Sequence, residues 1–195
     1  FMKGVDEIIN KAIAFEEGSK AIKVEQKAPS FQLPDQEGKL ILLDTLLSKG
    51  PVVVTFYRGG WCPYCNIQFK ALQARLEDIH KLGATLVAIS PQVPDGSMTK
   101  DEISKMNFRV LSDQDAKVAI EYGVAWMVPE FLEEHMRVDR KLDLEKINNG
   151  NAKILPIPAT FILRADGIVT WRYVNVDYRT RSEPNDIIEA LKNLT

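Results

Sequence analysis

The sequence predicts an α/β domain in which a central mixed β-sheet is flanked by helices. Three features lead there. PVVVTFY (51–57) and ATLVAIS (84–90) are short, continuous apolar runs separated by apolar residues at helical spacing. PATFILRADGIVTWRYV reads as a hairpin, and SEPNDIIEALKNL as a closing amphipathic helix. Strand–helix–strand followed by hairpin–helix stacks helices on a sheet that is partly parallel and partly antiparallel. With 195 residues, 45% of them hydrophobic, the chain can bury one proper core.

Each element has its own signal. Val5, Ile8, Ile9, Ala12 and Ile13 follow helical spacing, so residues 3–17 are expected to form an amphipathic helix. KAPSFQLPDQEGKLILL is extended, with a tight turn from Asp35 to Gly38. PVVVTFY is β-branched and aromatic, as a strand buried on both faces should be. Phe69, Leu72, Leu76 and Ile79 share one helical face, and Gly83 ends that helix. ATLVAIS is a second buried strand. A helix near 99–106, a strand FRVLS and a helix from Asp113 to Tyr122 follow. Residues 124–155 are mostly charged and amphipathic, and read as an insertion carrying at least one helix and a turn at Asn148–Asn151. The late hairpin turns at Ala-Asp-Gly, and the last helix is expected to be capped by Ser182 or Glu183 with Pro184 in its first turn. The organisation expected is an N-terminal helix in 1–23 and one domain over 24–195.

Charge and composition narrow the function. Twenty-five basic and twenty-seven acidic residues give a formal charge of −2, and no basic stripe could track a phosphate backbone, which argues against nucleic acid. No apolar run reaches membrane-spanning length, and the first residues lack a signal peptide's apolar block. With only two cysteines the chain has no disulfide framework; the pair suits a cytoplasmic redox or metal site.

Both cysteines lie in RGGWCPYCNIQ (58–68), where a buried strand gives way to a helix. With Cys62 as N-cap, Pro63 takes the first helical position, where its missing N–H costs nothing. The helix's unpaired N–H groups and dipole then favour thiolate at Cys62 and Cys65, and thiols three residues apart can close a disulfide. One thiolate attacks; the other resolves the sulfenic acid or mixed disulfide. Structural zinc needs about four protein ligands. His80 lies roughly five helical turns from Cys62, taking 3.6 residues per turn, and His135 sits in the insertion without a second partner in sequence. Neither a metal nor a cofactor is therefore expected. Gly59, Gly60 and Pro63 suggest a tight turn at an exposed strand end. Arg58 is either a cation beside the thiolate or a solvated strand-end residue, and Trp61 an apolar lip, with Tyr64 sharing that role or simply packing. PEFLEEHMRV (129–138) reads as an amphipathic helix that would shade the dithiol, pair two chains as a homodimer, or present a solvated face. Arg179 or Arg181 in DYRTRSEP is expected to pair with Glu183 structurally, with binding of an anionic substrate as the alternative.

WCPYC between strand and helix resembles the thioredoxin-fold dithiol, and Pro-Tyr within it resembles glutaredoxins. KAPSFQLPDQEG, VAIS and FRVLSDQDAKVAIEYGV are similar to peroxiredoxins of the alkyl hydroperoxide reductase C and thiol-specific antioxidant family. RGGWCPYCNIQ, LPIPATFIL and VDYRTRSEP resemble its CxxC-containing, peroxiredoxin-like branch. The resemblance runs from about residue 24 to the C-terminus and implies a thioredoxin-like fold, with Pro158 as a cis-proline facing the dithiol. It implies a thiol-based antioxidant enzyme that reduces a hydroperoxide or disulfide through a Cys62–Cys65 disulfide, recycled by thioredoxin, glutaredoxin or glutathione. A protein-disulfide oxidoreductase and a non-enzymatic redox sensor are the alternatives. The family's P-x-x-x-T-x-x-C motif falls on Arg58, Cys62 and Cys65, so its Pro and Thr are replaced, and its late arginine falls on or beside Pro158. The family pattern makes Cys65 the attacking sulfur; the thioredoxin pattern makes it Cys62.

Overall fold

The computed structural model describes residues 2–14, 18–93 and 107–194; the helix expected near 99–106 lies outside them. Helix α1 (Met2–Ala14) buries Val5, Ile9 and Ala12 at the predicted spacing. Strands β1 (Gln32–Pro34) and β2 (Leu40–Leu42) form the expected hairpin, followed by α2 (Leu43–Leu47). The hairpin turn is tied by Asp35, whose Oδ1 accepts from the N–H groups of Glu37 and Lys39, both at 2.9 Å.

Five strands build the main sheet: β3 (Val52–Phe56), β4 (Thr85–Ser90), β5 (Arg109–Ser112), β8 (Ala159–Leu163) and β9 (Val169–Val174). Their order is β5-β4-β3-β8-β9, with β3–β4 and β4–β5 parallel and β3–β8 and β8–β9 antiparallel. The sheet is therefore mixed, as predicted. Period-2 alternation sorts the central strand between two cores. Val52, Val54 and Phe56 join Leu43, Tyr122 and Phe161 on one face. Val53 and Tyr57 join Cys62, Cys65, Phe69, Leu72, Ile79 and Ile187 on the other. The dithiol thus belongs to the packing of the second core.

The helix after the cysteines is two helices, α3 (Pro63–Ala74) and α4 (Leu76–Lys81), broken at Arg75 where φ is −112° and ψ is 8°. The predicted stripe survives the break, because Phe69, Leu72, Leu76 and Ile79 are all buried. Gly83, at φ 73°, ends α4.

The helix expected from Asp113 to Tyr122 is shorter. A 3-10 turn (Gln114–Ala116) precedes α5 (Lys117–Glu121), and Asp115 and Ala116 have positive φ. The buried Asp113 carboxylate accepts from the N–H groups of Val118 at 3.0 Å and Ala119 at 2.9 Å. It thereby fixes the start of the helix several residues late.

The insertion is more than helical. Strands β6 (Ala125–Met127) and β7 (Ile154–Pro156) pair antiparallel around α6 (Glu130–Val138) and α7 (Leu144–Ile147). Val128, Leu132, Met136, Leu144 and Leu155 make a small core of their own, against which Ile8, Trp61 and Trp126 pack. The Asn148–Asn151 turn forms as expected, with Asn148 Nδ2 donating to the Asn151 carbonyl at 3.0 Å.

One local expectation is corrected. No cis peptide bond occurs among the described residues, so Ile157–Pro158 is trans, the intrinsically favoured isomer of an X-Pro bond. The chain runs extended from β7 into β8, with the Ile157 N–H donating to the Val124 carbonyl at 2.7 Å. The last helix, α8 (Pro184–Lys192), has Pro184 in its first turn and Glu183 as N-cap, without a side-chain capping bond. Ser182 is turned inward to Thr160 and Gln68.

Candidate active site

The site grows from the end of β3. Cys62 is the N-cap of α3 and Pro63 starts the helix, as predicted. The loop between strand and helix is held by short bonds. Gly60 N–H donates to Gln92 Oε1 at 2.7 Å, and Asn66 Nδ2 donates to the Gly60 carbonyl at 2.9 Å. Gly59 has φ 148°, and a Cβ there would lie 2.2 Å from Trp61 Nε1. Glycine is therefore required both by backbone conformation and by the indole packed over it.

The expected exposed turn is buried. Cys62 is 1% and Cys65 0% exposed, and Arg58, Gly59 and Gly60 are buried as well. The reason is the insertion, whose side chains roof the strand end. A cleft of ≈ 390 Å³ is lined by Cys62 together with Trp61, Tyr64 and Tyr178 and the insertion residues Leu132, His135 and Arg140 among others. Cys62 reaches this cleft; Cys65 is not among its lining residues.

Arg58 is not a solvated residue. Its guanidinium lies 4.4 Å from the Tyr178 ring centroid and 5.0 Å from that of Trp61, a cation held against two aromatic faces. Tyr178 in turn meets Tyr64 edge-on at 5.8 Å. Trp61, Pro63 and Tyr64 are among the residues that line the cleft. Pro158 lines a neighbouring small cavity with Arg58 and Tyr178 and is absent from the described lining of the cleft.

The residue that sequence reasoning missed is Arg181. Its Nη2 donates to Cys65 Sγ at 3.3 Å and lies 3.9 Å from Cys62 Sγ. The pairing with Glu183 expected of Arg179 or Arg181 does not form. Arg179 instead pairs with Asp177 and with Asp6 of α1, each at 2.8 Å. Arg181 Nη1 donates to the Tyr178 and Thr180 carbonyls, which hold the guanidinium over the sulfurs. His135 is half-buried on the cleft wall with Nδ1 2.5 Å from Asp139 Oδ2. Among the described residues, no three His, Cys, Asp or Glu side chains are grouped to hold a metal ion.

These neighbours separate the two thiols. The Cys65 thiol lowers the Cys62 pKa most, the charges of Arg58 and Arg181 and the Cys65 backbone N–H add to this, and Cys62 comes down to about 5 against the opposing effect of burial. Burial pushes Cys65 well up, and the adjacent Cys62 pushes it further. The geometry therefore offers a thiolate facing a cleft, with a protonated thiol behind it and a guanidinium over both. A low-pKa thiolate with a neighbouring thiol is the arrangement that attack by one sulfur and resolution by another requires.

The sequence model of the AhpC/TSA family matches residues 24–172. The chain is 28% identical to peroxiredoxin Bcp of Escherichia coli over 171 residues, covering 88% of this chain and 96% of that protein. It is 37% identical over 99 residues to chloroplastic peroxiredoxin Q of Populus jackii, covering 51% of this chain and 46% of that one. In three dimensions it resembles peroxidoxin BcpB of Mycobacterium tuberculosis with a TM-score of 0.68, at 22% identity over 89% of this chain and 99% of that one. The chain belongs to the AhpC/TSA family and is a thiol-based oxidoreductase of the peroxiredoxin kind built on the thioredoxin fold.

Proposed function

We propose that the chain reduces hydroperoxides with Cys62 as the attacking sulfur and Cys65 as the resolving one. The observation that carries this reading is the low-pKa Cys62 in the lining of the cleft with the Arg181 guanidinium beside both sulfurs. The Cys62 thiolate attacks one peroxide oxygen, the O–O bond breaks, and the other oxygen leaves as an alcohol or water after taking a proton. Cys62 is left as sulfenic acid. The Cys65 sulfur then attacks the Cys62 sulfur, its proton goes to the departing hydroxyl as water, and the disulfide forms. Two electrons pass from the dithiol to the peroxide.

Arg181 and Arg58 stand in for the groups that the family motif lacks here. A fixed guanidinium stabilises the negative charge that moves from sulfur to oxygen during attack. The family alignment would put the attacking role on Cys65, but that sulfur is fully buried, has its pKa raised, and does not line the cleft. A thiol reductant then restores the dithiol. The two cysteines fit a reducing compartment, the cytoplasm, and residues 1–23 are an extension to a catalytic unit over 24–195, a boundary supported by the family match beginning at residue 24.

Rapid mixing of reduced protein with one equivalent of hydrogen peroxide, followed by Trp fluorescence, tests the reading. Trp61 adjoins Cys62 and reports the disulfide. Oxidation orders of magnitude faster than a free thiolate is expected; a rate like that of an ordinary thiolate removes peroxidase as the activity. Trapping the sulfenic acid with dimedone identifies the sulfur. Label on Cys62 in the Cys65→Ser variant is expected, and label on Cys65 in Cys62→Ser with none in the other variant reverses the assignment.

A further inference from the structure

Arg181 reaches the sulfurs from a turn that is held from several directions. Tyr178 lays its ring against the Arg58 guanidinium at 4.4 Å, and its carbonyl accepts from Arg181 Nη1. Thr180 Oγ1 donates to the Asp177 carbonyl and accepts from the Tyr173 hydroxyl of β9, both at 3.0 Å. Arg179 is bonded through every nitrogen of its guanidinium. Nε and Nη2 donate to Asp177 at 2.8 and 2.9 Å, and Nη1 donates to Asp6 Oδ1 at 2.8 Å. Asp6 lies on α1, 173 residues away in sequence.

Helix α1 is seated where that bond needs it. Its buried Val5 and Ile9, with Ile8, line a cavity of ≈ 30 Å³ together with Arg58, Pro158 and Tyr178, a space too small for an organic ligand. Arg58 and Tyr178 line the Cys62 cleft as well, so the helix packs on residues of the site itself. Two cations of one turn thus divide their tasks. Arg179 binds the acid of α1, and Arg181 lies beside the thiols. Both α1 and this turn lie outside residues 24–172, the stretch that the family model matches.

We infer that Asp6 is a positioning residue: through Arg179 it fixes the 177–181 turn and so holds the Arg181 guanidinium beside Cys62 and Cys65, making α1 a working part of the site; the inference rests on the redox reading above. Asp6 can act on Cys62 in two ways, and their signs are opposite. As a bare charge its carboxylate disfavours a nearby thiolate, so neutralising it lowers the Cys62 pKa. As an anchor it favours the thiolate, because the Arg181 charge lowers the Cys62 pKa only from the place the turn gives it. Neutralising Asp6 then raises the pKa. Arg179 gives no such contrast, since loss of its cation raises the pKa by either route.

The test uses the full chain, reduced, as wild type and as Asp6→Asn, Asp6→Glu and Glu7→Gln. Glu7 is the exposed next residue of α1, so Glu7→Gln removes the same charge and leaves the Asp6–Arg179 bond in place. The charged and titratable neighbours of Cys62, from Cys65 and Arg58 to the cleft-lining His135, Arg140, Tyr64 and Tyr178, are the same in every variant. The pH midpoint of Cys62 alkylation by iodoacetamide is expected to rise by about half a unit in Asp6→Asn, the scale of a half-exposed ion pair. Asp6→Glu should recover part of that rise, and Glu7→Gln should leave the midpoint in place or lower it. A midpoint that stays or falls in Asp6→Asn overturns the inference, as does an equal rise in Glu7→Gln or one that Asp6→Glu leaves undiminished. Alkylation needs no peroxide, so the two readings fail separately. Protein that peroxide oxidises no faster than an ordinary thiolate, yet shows the Asp6→Asn rise, loses the peroxidase reading and keeps this one; fast oxidation with no rise does the reverse.

Discussion

Arg181 Nη2 lies 3.3 Å from Cys65 Sγ and 3.9 Å from Cys62 Sγ, so a single guanidinium lies beside both sulfurs of the CxxC pair. The cation comes from the loop between β9 and α8, on the far side of the sheet order from the Cys62 loop's own strand neighbour β4. It therefore supplies charge without belonging to the dithiol motif.

Removing that cation should raise the Cys62 pKa and slow peroxide attack. Arg181→Ala is expected to lower the rate of disulfide formation about 10²-fold, the usual scale for losing one preorganised charge-stabilising donor. Arg181→Lys should recover only part, because an ammonium lacks the planar fork that also holds the Tyr178 and Thr180 carbonyls. Stopped-flow fluorescence measures the rate, and thiolate absorbance against pH measures the pKa. An Arg181→Ala protein with both unchanged would mean that Arg181 is only structural.

What the sequence disclosed depends on how far apart the cooperating groups lie. Cys62, Pro63 and Cys65 share one helical turn, so spacing alone placed them. Arg181 is 116 residues from Cys65, and nothing local distinguished it from Arg179, which pairs with Asp6 and Asp177. The buried strands were legible because apolar runs leave few alternatives. The site's burial was not, because it comes from an insertion packing its own core against Trp61. Likewise the late start of α5 depends on one carboxylate, Asp113, choosing the N–H groups of Val118 and Ala119. The expected cis-proline came from resemblance, and the local chain path from β7 to β8 is trans.

The pH dependence follows from the Cys62 pKa of about 5. Alkylation of the reduced protein by iodoacetamide should be half-maximal near pH 5 and flat above pH 6.5, against about 8.5 for a free thiol. Cys65→Ala removes the largest lowering influence, so its profile should shift to higher pH. The linkage sign is that of an acid whose native pKa is depressed. Between about pH 5 and 8.5 the unfolded chain binds a proton at Cys62 that the native protein does not. Reduced-state stability contributed by Cys62 is therefore full above the unfolded pKa and lost as pH falls through 5. Urea denaturation of the reduced protein across that window should show the midpoint rising with pH; a flat midpoint together with an alkylation midpoint near 8.5 would contradict the assignment.

Gly59→Ala tests how the Cys62 loop is held. The substitution imposes a side chain at φ 148° and puts Cβ 2.2 Å from Trp61 Nε1. Holding a non-glycine residue in so sparsely populated a conformation costs about 1–3 kcal/mol. The urea midpoint should fall accordingly, and Trp emission should shift to the red as the indole is displaced toward the cleft. Wild-type stability with unchanged emission would show that the loop accommodates Cβ.

Ser182 adjoins Arg181 and is anchored inside the protein. Its Oγ lies 2.9 Å from Thr160 Oγ1, which lies 3.0 Å from Thr55 Oγ1, and Gln68 Nε2 donates to Ser182 Oγ at 3.2 Å. This buried polar chain ties the Arg181 loop to β3, β8 and α3 together, three residues along α3 from Cys65. Ser182→Ala leaves the Gln68 amide without this acceptor, a loss of about 1–3 kcal/mol. It should also loosen the guanidinium and raise the Cys62 pKa. Thr55→Val disturbs the same chain at its far end and should cost stability with a smaller effect on that pKa. Comparing the two variants by urea denaturation and thiolate titration separates positioning from packing: equal pKa values at equal stability loss would mean that the hydroxyl chain holds the core and leaves Arg181 where it is.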